Sequence, residues 1–172
     1  NNLLATGKAS GERVFEMLDY PIDIKSPDTP KAFPDGLLEV DFKSVGFGYE
    51  GRYELLSDFS LTLAKGKVTA LVGHTGAGKS TVANLLQRYY DVTSGSVSIN
   101  GIDVREFDLL GLRKRIGVVA QDPFLFDGSV KDNLILAKEE ATEEELVAAL
   151  KGASAWEFVS SLPDKMDTRI GE

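Results

Sequence analysis

One run of residues, GHTGAGKS from Gly73 to Ser80, has the types and spacing needed to hold phosphate. It fits G-x-x-x-x-G-K-[ST] without a gap. The backbone of Gly73, His74, Thr75, Gly76, Ala77 and Gly78 can curl so that successive N–H groups point inward, a nest for phosphate oxygens. Gly78 also lets a helix begin there, which places the positive end of its dipole under the phosphates. Lys79 would reach the β- and γ-phosphates, and the Ser80 hydroxyl would ligate Mg²⁺. The His74 side chain is expected to face solvent, so His74 belongs to the loop through its backbone. A purely structural glycine turn is the alternative, and the flanking pattern speaks against it.

That pattern is strand, loop, helix. KVTALVG is a short continuous apolar run, the kind buried on both faces of a parallel sheet. In STVANLLQRYY, Val82, Leu85, Leu86 and Tyr89 recur at helical spacing and predict one buried stripe. Upstream, LLEVDFKSVGFGY and LSDFSLTLA read as strands, the second with Phe59, Leu61 and Leu63 on one face. SVSINGIDV reads as a hairpin turning on Asn100-Gly101. Asp108 is placed to cap a short helix running to Arg115, and IGVVAQ reads as another buried strand. Beyond Pro123 three helix starts carry a cap followed three residues later by an acid: Ser129 with Asp132, Thr142 with Glu145, Ser154 with Glu157. Pro163 ends the last helix. The acidic run from Glu139 to Glu145 reads as a solvated helix start.

Residues 1–20 hold a short helical pattern, with Val14, Phe15 and Leu18 on one face. Four of the six prolines then fall within residues 21–36, which read as a linker. The chain has 172 residues, 42% apolar and 27% charged, ordinary values for a soluble globular protein. A net charge of −8 argues against a nucleic-acid partner. It leaves nucleotide binding open, because surface charge is screened beyond about 8 Å at physiological salt. With no cysteine and one histidine, disulfides, thiolate chemistry and multi-histidine metal sites are excluded. No apolar run approaches the roughly 18 residues of a membrane span.

The set FGY, GHTGAGKST and VVAQDPFLFDGSVKDNL, in that order and spacing, resembles the nucleotide-binding domain of an ABC transporter, most of all the exporter type. The resemblance covers residues 10 to 172. It implies an α/β P-loop NTPase core with an antiparallel β subdomain and the start of a helical subdomain. It divides the chain into an arm (1–20) following a membrane domain, a linker (21–36), the ATPase core (37–122) and the helical start (123–172). By the same resemblance Tyr49 stacks on adenine, with Tyr53 as runner-up; the alternative is that Tyr49 packs on the sheet. Thr81 adds a hydroxyl contact to the α-phosphate. Gln121 touches Mg²⁺ and the attacking water, and its loop meets the membrane domain; a solvated loop glutamine is the alternative. Phe124 and Phe126, beside it, would be buried or would dock a partner, and docking is preferred.

The implied function is ATP-driven transport across a membrane, with ATP and Mg²⁺ as cofactors. Lys79 and Gln121 would act in catalysis, and Ser80 and Gln121 on the metal. The implied partners are a membrane domain of the same transporter and a second nucleotide-binding domain, at the cytoplasmic face of a membrane. In the family a signature loop, an acidic residue ending a second apolar strand, a catalytic glutamate and a switch histidine lie C-terminal to the region matched here. No substitute for them lies between the glycine loop and Glu172. The 172 residues alone are therefore expected to bind ATP weakly at best and not to turn it over. Two alternatives remain: a soluble non-transporter ABC ATPase, and a nucleotide-binding module without turnover. A GTPase is disfavoured because N-K-x-D is missing.

Overall fold

The computed structural model describes residues 2–50 and 54–171, which fall into two compact units, 1–117 and 118–172. The first unit opens with α1 (Asn2–Leu18) and continues through β1 (Val40–Phe47), β2 (Leu56–Leu63), α2 (Lys79–Leu86), β3 (Ser94–Ile99), β4 (Ile102–Asp103) and α3 (Leu109–Lys114). The strands form one antiparallel sheet in the order β2-β1-β3-β4. Val40 faces Leu63 on one side and Ile99 on the other, and the alternation read in LSDFSLTLA sets this register. Phe59, Leu61 and Leu63 all turn toward the core, as their spacing requires.

Asn100 and Gly101 both take positive φ, 48° and 80°, as a type I′ turn demands. The Asn100 amide oxygen also accepts from the Glu39 N–H at 2.9 Å, tying the hairpin to the start of β1. Phe42, Val45, Val97 and Ile99 from the sheet bury against Val82 and Leu85 of α2 and against Val104, Phe107 and Leu112. Helix α2 therefore rides on the sheet, and the loop before it is held at a fixed height.

The helix ends earlier than its periodicity suggests. Arg88 adopts φ 52° and stops it, leaving Tyr89 outside and half exposed. Arg113 reaches from α3 to donate to the Gln87 and Arg88 carbonyls at 3.1 and 2.9 Å. These carbonyls would otherwise be orphaned at a helix end. The same guanidinium lies 4.7 Å from the Tyr89 ring centre.

Asp108 caps α3 as expected, accepting from the Gly111 N–H at 2.7 Å. That bond first, and the Ser26 hydroxyl second, hold its carboxyl below the ordinary aspartate range. Ser26 belongs to the proline-rich segment, which is stitched to this unit. Its hydroxyl accepts from the Leu109 N–H at 2.8 Å. Lys31 pairs with Glu106 at 2.6 Å, and Phe33 packs on Phe107. On α1 the apolar face Val14, Phe15 and Leu18 is exposed.

The expected buried strands at Lys67–Gly73 and Ile116–Gln121 do not form. Neither segment joins a ladder, and Val72 and Val119 are 91% and 98% exposed. A strand buried on both faces needs neighbours at both edges and cover above and below. Among the described residues nothing supplies them.

The second unit contains β5 (Gly128–Ser129), α4 (Val130–Ile135), α5 (Glu143–Gly152), α6 (Trp156–Ser161) and β6 (Arg169–Ile170), around Val130, Leu146, Leu150, Val159 and Met166. Two of the three expected caps are complete capping boxes, Ser129/Asp132 and Thr142/Glu145. The third is different. Ser154 adopts φ 56° just beyond α5. The Ser154 N–H bonds the Lys151 carbonyl and the Ala155 N–H bonds the Leu150 carbonyl, at 3.0 and 2.8 Å. This is the paired closure of a Schellman motif, so Ser154 ends α5 instead of starting α6. With only three residues between the helices, the carbonyls of the first claim the turn.

Candidate functional site

The loop from Gly73 to Gly78 connects the extended segment after β2 to the first residue of α2. Gly78 occupies the N-cap with φ 86°, and no side chain caps the helix. Residues that begin helices with their own side chains as caps, such as Ser or Asp, would occupy the N-terminal N–H groups. Glycine leaves them for an outside acceptor. Gly78 also tolerates no side chain easily, because an added Cβ would stand 3.0 Å from Leu56 Cδ2, a core residue of β2. The sheet thus approaches the loop from beneath and sets where it turns.

Lys79 folds back over the loop. Its Nζ donates to the Gly73 and His74 carbonyls, both at 2.8 Å. These two bonds staple the two ends of the curl together and hold the ammonium at its mouth. The Ala77 N–H closes the turn on the His74 carbonyl at 3.2 Å. The His74 ring is exposed, with Nδ1 2.9 Å from the Thr75 carbonyl oxygen, as expected of a backbone member of the loop. Thr75 is also exposed, and so is Ser80, one residue into α2, whose hydroxyl is available as a ligand. The site therefore offers an uncapped helix N-terminus, one ammonium held over the glycine loop and one exposed hydroxyl. It fits a polyphosphate with a hard divalent cation.

Thr81 is different from its neighbour. It is 4% exposed, and its Oγ1 lies 3.1 Å from the Tyr49 hydroxyl. Tyr49 follows β1 and is half-buried. Its ring meets Phe47 and Tyr90 edge-on, with centroids 4.9 and 5.0 Å away at 85° and 89°. Edge-to-face contacts of this kind fix a ring's orientation. Tyr49 is therefore half-buried and packs against the sheet, the alternative of its two sequence-based readings. Tyr53 lies outside the described residues. Tyr90 was not visible as a site member in the sequence, because the left-handed turn at Arg88 breaks the periodicity that would have located it.

Gln121 belongs to the second unit, in an exposed stretch without regular structure. Phe124, three residues on, is 78% exposed and stacks edge-on against Phe126 at 5.0 Å. The Asn133 side chain grips this loop from α4. Its Oδ1 accepts from the Phe126 N–H, and its Nδ2 donates to the Phe126 carbonyl, both at 2.9 Å. The aromatic pair is thus exposed on a backbone tied to α4. Among the described residues no helix is long and apolar enough to cross a membrane.

Comparison with known proteins shows the family. A family model described as ABC transporter matches residues 56–170. The chain is 40% identical over 169 residues to a fatty acid ABC transporter ATP-binding/permease protein of Mycobacterium bovis, covering 98% of this chain and 26% of that protein. It is 36% identical over 172 residues to an ATP-dependent lipid A-core flippase of Syntrophus aciditrophicus, covering 28% of it. Among solved structures it superposes on a bacterial Atm1-family ABC exporter with ATP bound, at a TM-score of 0.86 and 34% identity. That match takes in 98% of this chain and 30% of the exporter chain. The chain thus spans less than a third of the length of these relatives.

Proposed function

Because the chain belongs to the ABC transporter family, we propose that it is the ATP-binding part of an exporter, using ATP to move a substrate across a membrane. One observation carries the reading: a glycine loop stapled by Lys79 leads into the uncapped N-terminus of α2. The loop from Gly73 to Gly78 binds the phosphates through its N–H groups. Lys79 turns its ammonium to the outer phosphates, and the Ser80 hydroxyl takes one position on Mg²⁺. Mg²⁺, when bound, neutralises charge on the β- and γ-phosphate oxygens. Tyr49 supplies the ring on which adenine stacks, worth about 1–3 kcal/mol, with little discrimination between purines. Gln121 orients the attacking water, its amide offering both a donor and an acceptor.

In this reading residues 1–20 and 21–36 lead from a membrane domain, 37–122 form the ATPase core, and 123–172 begin a helical subdomain. Phe124 and Phe126 then dock on the membrane domain, and a second nucleotide-binding domain completes the site. All of this lies on the cytoplasmic face of the membrane. The acidic net charge and the exposed aromatic pair favour this over a soluble ATPase working on nucleic acid.

The test uses the full-length protein in vesicles, with phosphate release and transport measured together. Lys79→Ala should abolish both. Replacing Phe124 and Phe126 by alanine should leave phosphate release while transport per ATP falls. Phosphate release that survives Lys79→Ala would overturn the site assignment, and unchanged transport per ATP in the aromatic variant would overturn the docking role.

A further inference from the structure

Tyr49 and Thr81 hold the only hydrogen bond among the described residues that joins the aromatic cluster after β1 to the first turn of α2. Its two partners are unlike. Tyr49 keeps part of its ring open, whereas Thr81 is buried and sits one residue beyond Ser80. Two hydroxyls bring two protons to one hydrogen bond, so one proton remains to be given elsewhere. Either direction is possible between neutral hydroxyls, and the 3.1 Å separation is longer than the usual 2.7–2.8 Å or so for such a pair.

An anionic acceptor at the loop would break that symmetry. Thr81 would then donate toward the anion, and Tyr49 would donate to Thr81. Chained donors polarise one another, and the bond would shorten. We infer that the Tyr49 hydroxyl is a positioning group for the phosphate end of the site, acting through Thr81, in addition to the stacking role of its ring. The inference rests on the phosphate-loop reading given above. It makes one residue serve both ends of the ligand: the ring faces the base, and the hydroxyl orders the helix turn beside the phosphates. Phe47 and Tyr90 fix the ring, and so they fix the hydroxyl as well.

Inorganic tripolyphosphate separates the two roles, because it has phosphates and no base. Binding of Mg-tripolyphosphate and Mg-ATP to the full-length protein would be measured by calorimetry for the wild type, Tyr49→Phe, Thr81→Val and the double variant. Tyr49→Phe keeps the ring and loses the hydroxyl. It should weaken both ligands, each by about three- to tenfold, the worth of one hydrogen bond. In the Thr81→Val background the same change should have no further effect, which a merely additive packing role would not produce. Wild-type affinity of Tyr49→Phe for tripolyphosphate would refute the link while leaving the stacking role standing. Additive losses in the double variant would refute it too. If Thr81→Val does not fold, tripolyphosphate binding by Tyr49→Phe decides alone. A wild type that binds neither ligand would overturn the phosphate-loop reading, and this inference with it.

Discussion

Replacing Gly78 by alanine tests how the sheet sets the phosphate loop, and Gly76 provides its own control. Both glycines have nearly the same backbone, φ 86° and 84°. Their surroundings differ: a Cβ at Gly76 meets nothing within 4 Å, whereas one at Gly78 stands 3.0 Å from Leu56 Cδ2. Holding an L-residue in the left-handed region costs about 1–2 kcal/mol at either site. Stiffening the unfolded chain returns roughly 0.4–1 kcal/mol to both. At Gly78 the Leu56 tip must also move by a few tenths of an ångström, adding up to about 1 kcal/mol if it leaves its rotamer.

Gly76→Ala should therefore lose up to about 1.5 kcal/mol, and Gly78→Ala up to about 2.5 kcal/mol. For a chain of this size that is roughly 2–4 °C in Tm per kcal/mol. Urea unfolding gives the stabilities, and calorimetry with Mg-ATP gives the second half of the answer. If the loop escapes the strain by turning its N–H groups away, ATP affinity falls at least about tenfold, which is 1.4 kcal/mol of lost contacts. The reasoning fails if Gly78→Ala matches the wild type in both assays, or if Gly76→Ala proves the more costly of the two.

Three shorter expectations follow from other contacts. Ser154→Gly should stabilise the protein by about 0.5–1 kcal/mol, because glycine suits the left-handed closing position of α5; as an N-cap it would instead lose a few tenths, so the sign seen in urea unfolding decides. Thr168 Oγ1 is buried without a partner among the described residues. Thr168→Val should be neutral or stabilising by up to about 1 kcal/mol, and a clear loss in thermal melting would mean that the hydroxyl is satisfied. The carboxyls of Asp132 and Glu145 are held below their ordinary range, Asp132 chiefly by the Ser129 N–H and Glu145 chiefly by Lys138. Their stabilisation is thus fully present above the ordinary values, 3.8 for Asp132 and 4.5 for Glu145, and lost as the pH falls through the lower folded values; Asp132→Asn should flatten that acid limb, and an unchanged limb counts against it.

Local chemistry was legible in the sequence wherever neighbours in the chain complete it. The glycine loop, the Asn100-Gly101 turn, the Asp108 cap and the two capping boxes each close within a few residues. Their backbone demands can be met by residue type alone. The alternation of LSDFSLTLA likewise fixes which face of β2 meets the core, because a slip of one residue would reverse it.

What the tertiary structure decided involves partners distant in sequence. Arg113 reaches from α3 to the carbonyls that end α2, and Leu56 stands under Gly78. Tyr49, Thr81 and Tyr90 meet only because β1 and α2 pack on one core. The apolar runs at Lys67–Gly73 and Ile116–Gln121 show the same dependence in reverse. Apolar composition states that a segment is suited to burial, but burial needs surfaces on both sides, and those come from elsewhere in the fold.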